Sequence, residues 1–253
     1  MTCIYETTWC KGFTTEQHVL PLGLGCDQAI LPKGLVCDSC NHYLGRHVES
    51  DFMRSIPISF SLAYAGITNR KRKSRIIKDD QGNTIISLGK RMVYRTHTGE
   101  SVVHDKKEMT FDLAYKPDTL TAHGKATSRF IHKLFIEMIA LTALEAGQSS
   151  VQAVRTIDPD GTVRRYVRSP AKNAFRPFAY RRKLRADREF WSRPFRVGQQ
   201  TVAGVQLFFA EILLAGYWIP LSGHPDDLRK VLATERAKDF SAQFDAANPM
   251  LFT

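Results

Sequence analysis

After Cys40 the chain carries no further cysteine. All five (Cys3, Cys10, Cys26, Cys37, Cys40) fall within the first 40 of 253 residues. The count is odd, and Cys37 and Cys40 stand three apart. This pattern argues against a disulfide framework and for a metal site in a reducing compartment. Long apolar runs are also missing. The two nearest candidates, 130–147 and 205–220, are interrupted by His132, Lys133 and Glu137 and by Glu211, so no membrane-spanning helix is expected. The N-terminus has no basic stretch leading into an apolar one, which predicts no secretory signal and a cytoplasmic protein. Internal repeats and low-complexity tracts are absent, and 43% of residues are hydrophobic, which excludes bulk disorder.

Acidic residues are in deficit. Against 36 Lys and Arg stand 25 Asp and Glu, a net charge of +11. Such an excess favours a polyanionic partner. It is also localised: residues 155–196 hold thirteen cations and four acids, most of the net charge. Aromatics (Tyr166, Phe175, Phe178, Tyr180, Phe190, Trp191, Phe195) are interleaved with them. Arginine reaches phosphates and aromatics stack on bases or pack a core. Arg164, Arg165, Arg168, Arg181, Arg182, Lys183 and Arg185 are therefore the candidate nucleic-acid contacts. A second basic run, 69–78, reads as a solvated loop or a phosphate-contacting one.

The expected fold class is α+β: a small N-terminal zinc module over 1–55 and a larger mixed domain over 56–253. Residues 14–21 read as an extended segment, 22–34 as a Gly- and Pro-punctuated loop, and 35–37 as a second short strand. A helix capped by Asp38 or Ser39 follows to about residue 55, with Leu44, Val48 and Phe52 at helical spacing. A ββα unit of this size has too little core to hold itself, and a bound zinc would supply the deficit. Cys37-x-x-Cys40 is a knuckle that can present two sulfurs to one ion. Cys3, Glu6 and Cys10 compete for the other two places. The favoured set is Cys3, Cys10, Cys37 and Cys40 as a structural Zn²⁺ site; the alternative is a buried cluster of reduced cysteines. Cys26 has no assigned role.

Further along, 56–120 is expected to be β-rich, with a hairpin of 84–88 and 91–95 around Gly89-Lys90. Residues 126–146 form the clearest helix, with Gly147 as its stop and His132 off its apolar stripe as a surface or satisfied structural histidine. Asp158-Pro159-Asp160-Gly161 is a turn, expected between two β-prone runs. Two core strands are expected over 201–221 and a last helix over 226–237.

The order Cys…Cys, Glu16-x-His18-Val19-Leu20-Pro21, a Leu-Gly loop, then Cys37-x-x-Cys40-Asn41, Gly45, Val48 and Glu49 resembles the HNH endonucleases with a zinc-stabilised ββα-metal fold, in particular the subgroup with a CxxCN helix. The resemblance covers about residues 1–55. It implies a hydrolase acting on phosphodiester bonds of DNA, with duplex DNA as the partner. His18 would be the general base. Gln17 and Asn41 occupy the positions that bind a catalytic divalent cation, Mg²⁺ or Mn²⁺, in that family. Glu16 stands one residue away; in a regular strand it shares a face with His18 while Gln17 points opposite. His42 could contact phosphate or metal, and His47 is a surface residue. Products would carry 5′-phosphate and 3′-hydroxyl ends. One site cuts one strand, so double-strand cleavage would need a dimer or two encounters. A role in defence against foreign DNA is an analogy to the family. Two departures stand out. An amide at Gln17 is a weaker ligand for a hard cation than a carboxylate, and the middle Asn of the signature has no counterpart between Gly25 and Cys37. They leave open a zinc-stabilised nucleic-acid-binding protein with an inactive centre, or a protein-binding adaptor.

Overall fold

A computed structural model gives the fold and describes residues 1–24, 29–68, 73–88, 91–105, 117–169, 182–183, 195–202, 204–212 and 215–220. It is mixed α+β with small antiparallel sheets. Strands β1 (Gln17–His18) and β2 (Ile30–Leu31) pair, with His18 opposite Ile30. The second strand thus lies earlier than expected, since Val36 and Cys37 turn inward to begin the helix instead. Helix α1 (Asp38–Leu44) runs through a π-helical segment (Gly45–Glu49) into α2 (Ser50–Arg54). Leu44, Val48 and Phe52 are all fully buried along it, as their spacing predicted.

Residues 56–105 differ from expectation at their start. Ile56–Tyr64 is helix α3, opened by Pro57 in its first turn, where a missing N–H costs nothing. The meander that follows, β3 (Ile76–Lys78), β4 (Thr84–Leu88), β5 (Arg91–Arg95) and β6 (Ser101–Asp105), contains the expected hairpin. Ile77, Ile85 and Met92 point to one face and pack with Ala63 of α3.

Helix α4 (Pro117–Glu145) is the central beam, roughly 44 Å long at 1.5 Å per residue. Phe130 stacks on Phe52 at 3.8 Å, and Phe135 meets Phe208 at 5.3 Å. The chain leaves α4 at Gly147, whose φ of +70° suits glycine. The turn at 158–161 is present but joins two helices, α5 (Ser150–Ile157) and α6 (Thr162–Arg168). The reason is local. Val151, Val154 and Ile157 share a helical face, and the Asp158 carboxylate accepts the N–H groups of Val163 and Arg164, both at 3.1 Å. Strands β7 (Arg182–Lys183), β8 (Phe195–Val202), β9 (Val205–Ile212) and β10 (Ala215–Pro220) form the last sheet, ordered β7-β10-β9-β8. The helix expected over 226–237 lies outside the described residues. No described helix is long and apolar enough to cross a membrane.

One core cluster runs from Cys3 through α1, α2, α4, α5 and α6 to Ala210. Residues of the first 55 share this core with α4, which adds the apolar surface a ββα unit lacks.

His132 is a satisfied structural histidine. It is 2% exposed, its Nδ1 lies 2.8 Å from the Ser128 carbonyl, and its ring meets Tyr166 edge-on. Burial pushes its pKa down to about 4. The unfolded state then binds the extra proton between about pH 6.5 and 4. The stabilisation is complete above about pH 6.5 and is lost as pH falls through that window, on the order of 3 kcal/mol. Urea unfolding from pH 7 to 4 should show this slope in the wild type and a shallower one in His132→Gln. Equal slopes would remove His132 as its source.

Candidate metal centre and adjoining cleft

Cys3, Cys10, Cys37 and Cys40 converge. Their sulfur atoms all lie within 4.8 Å of one another, and those of Cys10 and Cys40 are 4.0 Å apart. Four thiolates around a tetrahedral zinc at 2.3 Å would stand about 3.8 Å apart. The cluster is thus already near the geometry of a structural zinc site, and these four residues could hold the ion. Glu6 is not among the ligands: its carboxylate is taken by Arg155 and Arg164. Cys37 is the N-cap of α1, its Sγ accepting the Cys40 N–H at 3.4 Å, a role expected for Asp38 or Ser39. The Cys3 sulfur accepts from the Cys40 thiol and the Cys37 N–H, which brings its pKa down to about 5. Cys40, as the donor, is driven up.

Asp38 does other work. It accepts four hydrogen bonds from the N–H and hydroxyl groups of Thr14 and Thr15, between 2.7 and 3.0 Å. These bonds, Thr15's hydroxyl foremost, hold its carboxyl below the usual range. The approach requires glycine at position 12: a Cβ there would lie 2.2 Å from the Asp38 carboxylate, at a φ of +69°.

Behind the cysteine site lies a buried ionic network. Lys133 Nζ reaches Glu137 Oε2 at 2.8 Å, Glu49 Oε1 at 2.9 Å, and the carbonyls of Val19 and His18 at 2.8 and 3.1 Å. Tyr5 donates to Glu137 at 2.9 Å. Gln17 donates to Glu49 and Glu137 at 3.3 and 3.4 Å. Gln17 is 2% exposed, and its amide nitrogen points to the interior. Strand alternation turns Glu16 outward, where it is exposed, and leaves His18 half-buried on the same side. Neither Lys133 nor Glu137 was singled out as a site residue. The signal was present: a Lys–Glu pair at i,i+4 inside an apolar helix has no solvent to face.

Asn41 sits on α1 and ties it to the strand. Its Nδ2 donates to the Glu16 carbonyl at 2.9 Å and to the Thr15 hydroxyl at 3.0 Å. Asn41 also lines a cleft of about 460 Å³ with Pro21, Gly23, His42, Arg46, Glu49 and Arg75. His18 is not in that wall. Its Nδ1 is buried without a hydrogen-bond partner among the described residues. His47 is exposed and stacks beside Tyr43 at 4.8 Å. Apart from the four cysteines, no group of three or more His, Cys, Asp or Glu among the described residues gathers at metal-binding distance.

The basic segment is only partly outward. Arg164 is 5% exposed and held by Glu6 and Asp158, and Arg168 is 2% exposed against Trp9 and Tyr43. Both side chains are largely withdrawn from solvent. Arg165 is exposed. Arg182 and Lys183 lie on β7, while Arg181, Arg185 and Cys26 lie outside the described residues.

Two expectations follow. Purified protein should carry one zinc per chain by elemental analysis, and Cys37→Ser should lose it and unfold at lower temperature; folded protein with background metal content would count against the site. Lys133→Met should cost about 3–5 kcal/mol in urea unfolding, because it strands buried carboxylates; a loss below about 1 kcal/mol would deny Lys133 its central place. No family model, curated protein or solved structure matches this chain.

Proposed function

We propose that the chain is a metal-dependent HNH endonuclease that hydrolyses phosphodiester bonds of duplex DNA, with a structural zinc at the four cysteines. The observation that carries this reading is the Asn41–Glu16 hydrogen bond of 2.9 Å. It docks the helix that follows the cysteine knuckle across strand β1, two residues from His18. A histidine strand, its antiparallel partner and a zinc-anchored helix are the parts the resemblance requires, in the required order. His18 takes the proton of the attacking water. Among the described residues no hydrogen bond occupies its Nδ1. Asn41 and the outward Glu16 are the candidate contacts for the catalytic cation, which supplies charge neutralisation at the phosphate and the departing 3′ oxygen. Magnesium keeps several waters and takes few protein ligands, so a site of this kind needs no carboxylate cage.

The second reading, a zinc-stabilised nucleic-acid-binding protein with an inactive centre, is favoured by the inward turn of Gln17. Supercoiled plasmid separates the two. With Mg²⁺ or Mn²⁺ the wild type should nick it, and His18→Ala should slow cleavage by about 10²–10⁴-fold. Binding without cleavage under either metal would leave the second reading standing.

A further inference from the structure

Three arginines from α5 and α6 grip the loop that carries Cys3 and Cys10. Arg155 and Arg164 hold Glu6. Arg168 is different, because no carboxylate among the described residues pairs with it. Its guanidinium carbon lies 4.2 Å from the Trp9 ring centre and 4.0 Å from that of Tyr43. The two rings stand 6.3 Å apart at 81°, so they form a corner around the cation. Nε and both terminal nitrogens are buried, and none has a hydrogen-bond partner among the described residues. Two aromatic faces offset only part of the cost of burying an unpaired cation. Among the described residues the site therefore has no counter-charge.

The walls of the corner show where that charge arises. Trp9 precedes Cys10, and Tyr43 stands one helical turn after Cys40. Thr7 bridges the same pair of sulfurs, at 3.2 Å from Cys10 and 3.6 Å from Cys40, and it lines a 560 Å³ cavity together with Trp9 and Arg168. Four thiolates around one divalent ion carry a net double negative charge, which the unloaded thiols do not.

We propose that Arg168 is the charge partner of the metal-loaded cysteine site, so that zinc binding and the docking of α6 on the cysteine loop are one linked equilibrium. Loading creates the anion that the guanidinium lacks, and the docked guanidinium raises affinity for the ion by the same factor. Arg168 is a positioning residue for the metal centre. This holds whether or not the chain cleaves DNA.

The test uses the full chain. Co²⁺ titration, followed by thiolate charge-transfer absorbance and displacement by Zn²⁺ under a competing chelator, gives affinities for the wild type and for Arg168→Met, Arg168→Lys and Arg95→Met. Arg168→Met should weaken zinc binding about 10–100-fold, as loss of a partner behind the ligands does elsewhere. Arg168→Lys should stay within a few-fold of wild type, and the surface control Arg95→Met should match it. The gain in melting temperature on zinc loading should shrink in Arg168→Met. Affinity within twofold of wild type in Arg168→Met, or an equal zinc-dependent gain, overturns the proposal. If Arg168→Met fails to fold, Arg168→Lys decides: near-wild-type affinity supports a role for charge, and a tenfold or greater loss overturns it. A wild-type chain that binds neither metal overturns both the site and its partner.

Discussion

A single buried ammonium holds the parts of this protein in register. Lys133 faces two carboxylates and two backbone carbonyls drawn from three segments: its own helix, the π segment and the end of strand β1. Such a group is expensive to bury and rarely adds net stability over a well-packed apolar alternative. What it does is restrict geometry. The carbonyls of His18 and Val19 fix strand β1 against α4, and Glu49 fixes the helix that faces the cleft. Two carboxylates share one ammonium, so burial pushes the Glu137 carboxyl up to about 7 despite the pairing. The Tyr5 hydroxyl and the Gln17 amide complete the set. A continuous polar path thus runs from the cysteine loop at Tyr5, through Glu137 and Lys133, to Glu49 at the cleft.

The helix from Asp38 to Arg54 joins the same two regions from outside. Its first turn carries two of the cysteines; its middle, where the winding opens to π over Gly45–Glu49, borders the cleft. Wider winding of this kind recurs near functional sites because it re-aims side chains without ending the helix. Arg129 of α4 steadies that stretch, donating to the His47 carbonyl at 3.0 Å, the Tyr43 hydroxyl at 3.0 Å and the Val167 carbonyl at 2.8 Å. One guanidinium thereby ties the π segment, the aromatic corner of Arg168 and the end of α6 together.

The local code of the chain was legible; its tertiary use was less so. The cysteine spacing, the Leu44/Val48/Phe52 stripe, the hairpin around residues 89–90 and the glycine stop at 147 each follow from short-range chemistry, and the structure contains them. The turn at 158–161 was equally legible, but its flanks were not. β-branched Val and Ile suggest strands, whereas the Asp158 carboxylate caps a helix. Gln17 illustrates a deeper limit. Strand alternation put it opposite His18, but what it meets there, Glu137 from 120 residues away, is a tertiary fact. The basic segment misled for the same reason. Counting cations says nothing about which of them the fold turns inward.

That distinction shifts the electrostatic argument to the cleft. Arg164 and Arg168 are withdrawn from solvent, and Arg155 is paired with Glu6 at the surface. They brace the cysteine loop. In the cleft wall, by contrast, Glu49 is matched by Lys133 from behind, while Arg46 is exposed and Arg75 spans the rim through the carbonyls of Gly23 and Ile67. The acid there is neutralised from within and the two arginines are not. A phosphate entering beside Asn41 would meet a net positive wall whatever the rest of the basic segment does. On the proposed reading, the buried lysine would set the attraction of a phosphate to this cleft as much as the visible arginines: without the ammonium, Glu49 would be an uncompensated negative charge in its wall.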